Sequence, residues 1–483
     1  MQAIMLISGN ADGGDIALAT DFYELTMAAA YYYRYFIRPA DKATSDGKSE
    51  KGVFEMLVRK LPRNRSYLVA AGLEQVLYFL MNIRFNEEQL SYLESHEHFK
   101  DVGEDFFEYL RNFKFTGTIW AVPEGTILFP NEPLIRVEAP MIEAQIVETY
   151  LLSMMNFQSL IATKASRMVT AAKGKSIIEF GSRRAHGPQA ALLAARASYI
   201  AGCIGTSNAL AGYKFGIPIF GTMAHSFVMS FEKEEEAFKQ FNKVLPSGYL
   251  LVDTYDSIAA IKKIIKSGIN TTGIRLDSGD LYSLSLEARR VLDGASGGAY
   301  ASTKIMASGD LNEYLIHDLL NRGAPIDSFG VGTELSTSRD DPAMNGVYKL
   351  VAIKVPSSLL AVNTEGKVDE KIFYKLKTSP AKKTYPGPKQ IYRILENGLI
   401  KSDFISLENE EKLPVDAAPL LQKILDKGNI LSKMPSIKEI QRFHLQQIKT
   451  LPPKFLDLDF VPESFPLFYS KQLEARRREF KPQ

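Results

Sequence analysis

Polar or glycine-rich turns follow six short apolar segments in the middle of the chain. These turns occupy positions 181–184, 221–226, 253–256, 277–280, 308–310 and 330–333. The first contains arginines, the second contains a histidine, the next three contain aspartates, and the last is Gly-Val-Gly-Thr. If the apolar segments are parallel strands of a barrel, their carboxyl ends meet at one mouth, where such barrels have their active sites. The pattern therefore predicts one polar site assembled from six segments.

Two of these turns are suited to bind phosphate. The turns 308–310 and 330–333 are rich in glycine, and the first precedes a predicted helix at 310–322. Glycine turns expose backbone N–H groups, and the amino terminus of a helix favours an anion. Ordinary helix capping by serine or aspartate is the alternative for each turn taken alone. The guanidinium groups of Arg183 and Arg275 favour phosphate for the two turns together.

His225 is the candidate for carrying a phosphoryl group. It follows the predicted strand 217–220 and lies among aspartate-rich strand ends, where a carboxylate could orient its ring. A neutral imidazole nitrogen can attack phosphorus and hold a phosphoryl group. The tripeptide at 174–176, Gly-Lys-Ser, lacks the glycine five places earlier and precedes a strand, so any ATP site here is not a P-loop.

Strand and helix patterns alternate through residues 141–353. The predicted strands are 176–180, 217–220, 249–252, 273–276, 303–307, 326–330 and 347–353. The predicted helices are 141–173, 188–202, 205–215, 232–244, 256–267, 280–293 and 310–322. Alternation of this kind implies parallel strands joined by helical crossovers. The fold class predicted is α/β, with an irregular TIM-like (β/α) barrel favoured over an open doubly wound sheet.

The zones on either side of this barrel differ in composition. Residues 1–140 mix helix and strand patterns, and four prolines between 121 and 140 predict a boundary without regular structure. Residues 354–483 are rich in lysine, proline and polar residues, with a strand–loop–strand pattern at 375–395. We therefore expect a mixed α/β N-terminal domain at 1–140, a catalytic barrel at 141–353, and a C-terminal α/β segment at 354–483 packed on the N-terminal domain.

Composition narrows the class of protein. The chain has 483 residues, 45% of them hydrophobic, and a net charge of +2, which requires neither nucleic acid nor a membrane surface as partner. The basic run 476–478 is expected to be a solvated tail. A single cysteine, Cys203, excludes an intrachain disulfide and fits a reducing cytosol. Because we find neither a signal peptide nor an apolar stretch of about 18 residues, we expect a cytoplasmic protein.

Several uncommon motifs then occur in an order that resembles nicotinate phosphoribosyltransferase, of the type II phosphoribosyltransferase family. They are TDFYELTM (20–27), FEMLVRKLPRNRSYLVAAGLEQVLYFL (54–80), EFGSRRAHGP (179–188), GTSNALAGYKFGIPIFGTMAHS (205–226), VDTYDS (252–257), GIRLDSGDL (273–281), SGDL (308–311) and FGVGTEL (329–335). The resemblance covers nearly the whole chain.

This resemblance implies a reaction and its partners. Nicotinate would react with 5-phosphoribosyl-1-diphosphate to give nicotinate mononucleotide and diphosphate, the step by which nicotinate enters NAD salvage. ATP would be a co-substrate that is hydrolysed, as in a ligase, and Mg²⁺ would be present. The resemblance also implies a homodimer whose active sites are shared between subunits.

Roles for individual residues follow from the same resemblance. Phe180 and Tyr23, the latter from the partner subunit, resemble the aromatic pair that sandwiches the pyridine ring. Arg183 resembles a clamp for the phosphoribosyl group or for the nicotinate carboxylate, because a guanidinium fork matches both. His225 resembles the histidine that is autophosphorylated, and it is one of three predicted catalytic residues.

The other two predicted catalytic residues are Arg275 and Asp277. They resemble residues that hold the ribose and the diphosphate, and Asp277 is also a candidate Mg²⁺ ligand. The turns expected to bind ribose and the 5-phosphate contain Gly309, Asp310, Gly332 and Thr333.

Ser207 bears on the choice of substrate. Relatives that use nicotinamide place an aspartate at the matching position, and a buried aspartate would repel the nicotinate carboxylate. Serine adds no charge, which favours the acid, although Ser207 could also be a helix cap. The alternatives are a nicotinamide phosphoribosyltransferase and a non-catalytic binding protein on the same barrel. An aldolase-type barrel is disfavoured because Lys304 lies inside a strand rather than at its end.

Overall fold

The computed structural model describes residues 16–37, 50–356, 370–377, 384–410, 417 and 419–480. The strands in these ranges are β1 (Lys51–Val58), β2 (Leu68–Val69), β3 (Thr118–Ala121), β4 (Ile127–Leu128), β5 (Pro133–Pro140), β6 (Ser176–Glu179), β7 (Gly205–Thr206), β8 (Tyr249–Leu251), β9 (Gly273–Leu276), β10 (Lys304–Ala307), β11 (Ser328–Val331), β12 (Gly346–Pro356), β13 (Glu370–Tyr374), β14 (Lys389–Glu396), β15 (Leu399–Leu407), β16 (Gln422–Asp426), β17 (Asn429–Ile430) and β18 (Leu467–Tyr469).

The α-helices in the same ranges are α1 (Phe22–Tyr32), α2 (Leu73–Asn82), α3 (Glu87–Glu94), α4 (Glu104–Arg111), α5 (Met141–Ile146), α6 (Glu148–Ala171), α7 (Pro188–Ile200), α8 (Ala209–Phe215), α9 (His225–Met229), α10 (Glu234–Val244), α11 (Ser257–Lys266), α12 (Leu281–Asp293), α13 (Glu313–Asn321), α14 (Thr333–Ser336), α15 (Ile437–Ile448) and α16 (Lys471–Glu479). Among these described residues, no helix is both long and apolar enough to cross a membrane.

A parallel sheet carries the candidate site. Its strand order is β7-β6-β11-β10-β9-β8, and all its neighbouring pairs are parallel. The predicted α/β class is therefore confirmed, and the parallel strands form a half-barrel. A closed barrel is not formed by strand pairing within the described ranges, where β7 and β8 are the two edges.

The predicted strand at 217–220 is wrong. Within the described part of the chain, its β pairing is one parallel bridge between Ile219 and Thr206, at the β7 edge. Pro218 has no N–H to donate to a ladder, although its carbonyl accepts the N–H of Thr206 at 3.1 Å. The helix predicted at 205–215 also begins later, because Asn208 caps α8 by accepting from the N–H of Ala211.

An antiparallel sheet forms the second layer, in the order β13-β12-β1-β5-β3-β16-β17. The apolar run 347–353, predicted to be the last strand of the central zone, lies in this sheet as part of β12, beside β1. Apolar periodicity marks a strand but does not select its partner. The predicted boundary at 353 falls within β12, and the division at 140 and 353 stays a prediction.

The proline-rich stretch 121–140 is not the irregular segment that its composition predicted. It contains β4 and β5, and every residue of β5 is buried. Pro133 and Pro140 occupy the two ends of β5, and the pairing of β5 with β1 shifts register beside Pro133. Strand ends and bulges are the positions where a missing N–H is tolerated.

C-terminal residues extend the antiparallel sheet and form a further small sheet. β16 pairs with β3 at the edge of the antiparallel sheet, and β14, β15 and β18 form a separate three-stranded sheet. The basic run 476–478 lies on α16 rather than in a wholly solvated tail. Arg477 stacks over the ring of Tyr385 at 4.3 Å and donates to its hydroxyl at 2.5 Å, whereas Arg478 is exposed.

The long helix α6 joins the two layers. Leu151 and Met155 belong to the hydrophobic cluster beneath the antiparallel sheet, whereas Ala165 and Met168 belong to the cluster beneath the parallel strands. Full burial of side chains of the size of Leu or Met contributes about 1.5–3 kcal/mol each. Because one rigid helix is embedded in both clusters, the two sheets hold a defined position relative to each other.

Candidate active site

A cleft of about 700 Å³ opens at the carboxyl ends of the parallel strands. The predicted site residues that line it are Phe180, Arg183, Ser207, His225, Arg275, Asp277, Gly309, Asp310, Gly332 and Thr333. The structure therefore brings ten of the eleven predicted residues to one mouth. A second cleft, of about 780 Å³, is lined by residues from the 59–66, 129–131 and 461–469 segments and contains none of them.

His225 is oriented by an aspartate that the sequence did not single out as a site residue. Its Nε2 lies 3.2 Å from Oδ1 of Asp253, whose side chain is 4% exposed, while the imidazole is 42% exposed. Oδ2 of Asp253 accepts from Ser278 Oγ at 2.7 Å and from the N–H of Asp277 at 3.2 Å. Assigned from this contact, the proton is on Nε2 and the lone pair on Nδ1. The signal for Asp253 was present, since it follows β8 as Asp277 follows β9.

Arg275 lies at the centre of a second set of contacts. Its Nε donates to Ser308 Oγ at 2.7 Å and its Nη1 to Thr222 Oγ1 at 2.7 Å, while Nη2 pairs with Oδ1 of Asp277. The Ser308 hydroxyl in turn donates to Asp277 Oδ1 at 2.5 Å. All three guanidinium nitrogens are thus committed, and this holds the Arg275 side chain in one orientation.

These contacts set the charge of Asp277. Burial raises the pKa of this carboxyl, but the Ser308 hydroxyl, the Arg275 guanidinium and nearby His225 lower it by more. The net pKa lies below the ordinary value for aspartate, so Asp277 is ionised at neutral pH. An ionised carboxylate at this position can accept ribose hydroxyls or a cation.

Two glycines in the cleft lie where a side chain would overlap neighbouring atoms. Gly309 has a φ of +91°, and a Cβ there would overlap the Asp277 carbonyl oxygen. A Cβ on Gly330 would lie 2.5 Å from the ring of Phe180, so the glycine provides the space that this ring occupies. The Phe180 ring centroid lies 5.8 Å from the Arg275 guanidinium carbon.

Helix capping does not account for Ser308 or Ser207, although Asp256 and Asp280 in two other turns do cap α11 and α12. The helix predicted from 310 begins at Glu313, and its cap is Asn312, whose side chain accepts from the Leu315 N–H at 2.9 Å. Ser308 instead bonds within the cleft. The cap of α8 is likewise Asn208 and not Ser207, which is exposed in the cleft. Ser308 and Ser207 are therefore available to the cleft.

Tyr23 is the predicted residue that does not line this cleft. It lies on α1 with 47% of its surface exposed, and it bonds to Glu148. Burial and the neighbouring carboxylates raise the pKa of Tyr23, so its hydroxyl stays protonated. Its expected place in the cleft of a partner subunit stays a prediction.

Three side chains could hold a divalent cation. His225, Asp253 and Asp277 each offer a ligand atom, and these atoms lie within 4.8 Å of one another. Carboxylate oxygens suit Mg²⁺, whereas imidazole nitrogen suits transition metals better. The donor set therefore fits Mg²⁺ through the two aspartates.

Comparison with known proteins agrees with this geometry. Three family models match, described as the nicotinate phosphoribosyltransferase (NAPRTase) N-terminal domain at residues 18–156, the NAPRTase family at 175–372, and the C-terminal domain at 412–476. The chain is 42% identical over 464 residues to nicotinate phosphoribosyltransferase pncB2 of Mycobacterium tuberculosis, covering 95% of this chain and 92% of that protein.

Two further relatives extend the comparison. The chain is 38% identical to nicotinate phosphoribosyltransferase of Bacillus subtilis, covering 94% of this chain and 93% of that one. A crystal structure of human nicotinic acid phosphoribosyltransferase superposes with a TM-score of 0.79 at 26% identity, covering 96% of this chain and 100% of that one. The chain belongs to the nicotinate phosphoribosyltransferase family.

Proposed function

We propose that this protein transfers the phosphoribosyl group of 5-phosphoribosyl-1-diphosphate to nicotinate, in a reaction coupled to ATP through phosphorylation of His225. The carrying observation is the single cleft in which an aspartate-held histidine, the Arg275 contacts and two glycine turns meet, in a chain of this family. Relatives with 42% and 38% identity bear the name nicotinate phosphoribosyltransferase, which supports nicotinate as the acceptor.

The transfer step places definite demands on the cleft. The pyridine nitrogen forms a bond to the anomeric carbon while the bond from that carbon to the diphosphate oxygen breaks. Positive charge develops on the ribose ring, as in other glycosyl transfers. Phe180 offers a flat apolar face on which the pyridine can stack, and the ionised Asp277 can bind ribose hydroxyls close to the developing charge.

The departing diphosphate needs positive charge and backbone donors. We assign Arg275 and Arg183 to the anionic groups, and the turns at Gly309–Asp310 and Gly332–Thr333 to the ribose and 5-phosphate. Mg²⁺, held by Asp253 and Asp277, would supply additional charge for the diphosphate oxygens. Because Arg275 is already held by three contacts, it is organised before substrate binds.

The ATP-dependent step uses the free nitrogen of His225. Nδ1 attacks the γ-phosphorus of ATP, the N–P bond forms, and the P–O bond to ADP breaks. Asp253 accepts the hydrogen bond from Nε2–H throughout and stabilises the positive charge on the ring. The phosphoryl group adds about −1.5 to −2 charge beside the cleft until water removes it. We propose that this charge organises the diphosphate site and lowers the apparent substrate KM.

Selectivity for the acid is assigned to Ser207. Its side chain is exposed in the cleft and carries no charge, so a nicotinate carboxylate meets no like charge at this position. The nicotinamide alternative is not favoured, since the relatives compared above are named for nicotinate or nicotinic acid.

The first test is formation of nicotinate mononucleotide from nicotinate and 5-phosphoribosyl-1-diphosphate, with Mg²⁺, with and without ATP. We expect product in both cases and a higher rate at low substrate with ATP. His225→Ala should lose the ATP stimulation and keep the ATP-independent reaction. Absence of product from the wild-type protein would refute the assignment, and ATP stimulation that survives in His225→Ala would refute the role of this histidine.

A homodimer with shared sites is the proposed assembly, with Tyr23 of one subunit entering the cleft of the other. Mixed dimers of Tyr23→Ala and Arg275→Ala subunits test this assembly. In each mixed dimer, one cleft receives both its own Arg275 and the intact Tyr23 of the other subunit. We expect the mixture, after exchange of subunits, to recover up to about a quarter of the wild-type activity, since half the dimers are mixed and each has one working site. No recovery in verified mixed dimers would contradict the shared site.

A further inference from the structure

Glu179 is a buried carboxylate at the last position of β6, next to the candidate site. It is 1% exposed. Oε1 accepts a hydrogen bond from the backbone N–H of Gly181 and lies 3.1 Å from Ser336 Oγ, and Oε2 accepts from Thr206 Oγ1 at 2.5 Å. One side chain therefore joins the ends of three neighbouring strands.

Each of the three donors adjoins a different part of the cleft. Gly181 follows Phe180, the predicted stacking residue, and Thr206 precedes Ser207, the predicted selectivity residue. Ser336 lies in α14, whose first residue belongs to the glycine turn assigned to the sugar phosphate. The carboxylate is thus bonded to the segments that carry the pyridine-binding face and the phosphate-binding turn.

The segments around this carboxylate are closely packed. A Cβ on Gly181 would overlap Ser336 Oγ, so these two segments are already in close contact. The backbone carbonyl of Glu179 also accepts the N–H of Ser207 at 2.9 Å. A shift of the Glu179 side chain would consequently be transmitted to both neighbours.

The groups that surround the Glu179 carboxylate are neutral donors. Burial raises the pKa of Glu179, and the donors that oppose this rise are the Thr206 hydroxyl, the Gly181 N–H and the Ser336 hydroxyl, all of them neutral. The carboxyl pKa remains above its ordinary value, so these donors do not fully offset burial. Burial of a carboxylate without a paired cation costs free energy. We attribute the presence of Glu179 at this position to the three segments that its hydrogen bonds join.

We infer that Glu179 is a positioning residue, which sets the pyridine-binding face relative to the phosphate-binding turn. It need not touch substrate; it acts through Phe180, Ser207 and α14. This inference rests on the proposed function, because its readouts are the KM values for nicotinate and 5-phosphoribosyl-1-diphosphate. Misplacement of bound groups by about 1 Å can lower a rate about 100-fold, so removal of the Glu179 carboxylate should be visible in steady-state kinetics.

Two substitutions of Glu179 separate position from charge. Glu179→Ala removes the acceptors, and we expect kcat/KM for nicotinate to fall about 100-fold, mainly through higher KM. Glu179→Gln keeps an oxygen for Gly181 and Ser336 and can direct its amide N–H₂ to the Thr206 hydroxyl. We therefore expect the glutamine variant to stay close to wild type. A glutamine variant as impaired as the alanine variant would assign the effect to charge and overturn the inference.

Single-donor substitutions divide the effect between the two substrates. Thr206→Val should raise KM mainly for nicotinate, and Ser336→Ala mainly for 5-phosphoribosyl-1-diphosphate. Glu55→Ala is the matched control, because Glu55 is also fully buried but lies on β1 of the antiparallel sheet and bonds to Lys389. It should lower the melting temperature and the active fraction while leaving both KM values unchanged, as a merely structural role would.

The results are interpretable whether or not the alanine variant folds. If Glu179→Ala folds and keeps wild-type KM values, the inference is wrong. If it does not fold, Thr206→Val and Ser336→Ala decide, and unchanged KM values in both would overturn it. The wild-type protein is assayed in parallel: absence of product there would refute the proposed function, whereas a normal wild type with unaffected variants would refute only the role of Glu179.

Discussion

Exchange of Asp253 for asparagine tests the proposed ATP-dependent step most directly. In the structure, Oδ2 accepts from Ser278 Oγ and from the N–H of Asp277, while Oδ1 faces His225 Nε2 at 3.2 Å. The asparagine oxygen should take the place with two donors, which turns its N–H₂ group toward the imidazole. The ring must then accept on Nε2 and carry its proton on Nδ1, so the nucleophilic lone pair is lost.

The magnitude follows from two contributions. A hydrogen bond to a charged group contributes about 1.5–3 kcal/mol, and each 1.36 kcal/mol is about tenfold in rate, which gives about 10- to 150-fold. The change of tautomer comes on top, and in Ser-His-Asp hydrolases the same exchange lowers kcat about 10⁴-fold. Since the imidazole is 42% exposed, water screens part of the charge interaction. We expect phosphorylation of Asp253→Asn to be about 10²- to 10⁴-fold slower than wild type.

The assay is incorporation of the γ-phosphoryl group of labelled ATP, retained in alkali and lost in acid, together with ATP stimulation of product formation. Asp256→Asn is the matched control, because Asp256 caps α11 and asparagine caps equally well. That control should be phosphorylated normally. If Asp253→Asn is phosphorylated at the wild-type rate, the pairing of Asp253 with His225 does not orient the nucleophile and the argument fails.

Two further substitutions test other parts of the structure. Gly330→Ala places a Cβ 2.5 Å from the Phe180 ring. An overpacking cost of about 1–3 kcal/mol should lower kcat/KM for nicotinate about 5- to 150-fold. Gly103→Ala is the control, because a Cβ at that position meets open space and should leave kcat/KM unchanged. Burial and the neighbouring Asp403 carboxyl hold the pKa of Glu132 well above its ordinary value. The stability that Glu132 contributes is therefore complete below its pKa in the unfolded chain, and it is lost as the pH rises through its raised pKa in the folded protein. Glu132→Gln should therefore raise the melting temperature above that of wild type between pH 7 and 9 and leave it nearly unchanged near pH 4. A variant that melts below wild type between pH 7 and 9 would contradict this expectation.

Local features of the fold were predictable from the sequence. The predicted strands at 176–180, 249–252, 273–276 and 303–307 match β6, β8, β9 and β10 to within one residue at each end. Short apolar runs bounded by polar or glycine turns determine such strands locally. Because parallel strands carry their turns to one edge, the approximate composition of the cleft followed from the same pattern.

Features that depend on distant partners were not predictable. The run 347–353 is a strand by its own pattern, but its place beside β1 depends on residues almost 300 positions away. The roles of Asp253 and Glu179 likewise depend on which side chains the sheet brings within 3.2 Å of them. Closure of the barrel was over-predicted for a similar reason: the apolar pattern of 217–220 does not determine whether that segment pairs beyond its one bridge to β7.

Charge balance in the cleft would connect the two proposed half-reactions. Asp253 bonds to the histidine through one oxygen and to the backbone of Asp277 through the other, and Asp277 pairs with Arg275. A phosphoryl group on His225 would add about −1.5 to −2 charge beside these two carboxylates. Like charges this close repel unless a cation lies between them, so phosphorylation should increase the affinity of the cleft for Mg²⁺. ATP would then act on the transfer step through the charge that the proposed phosphoryl group adds to the cleft.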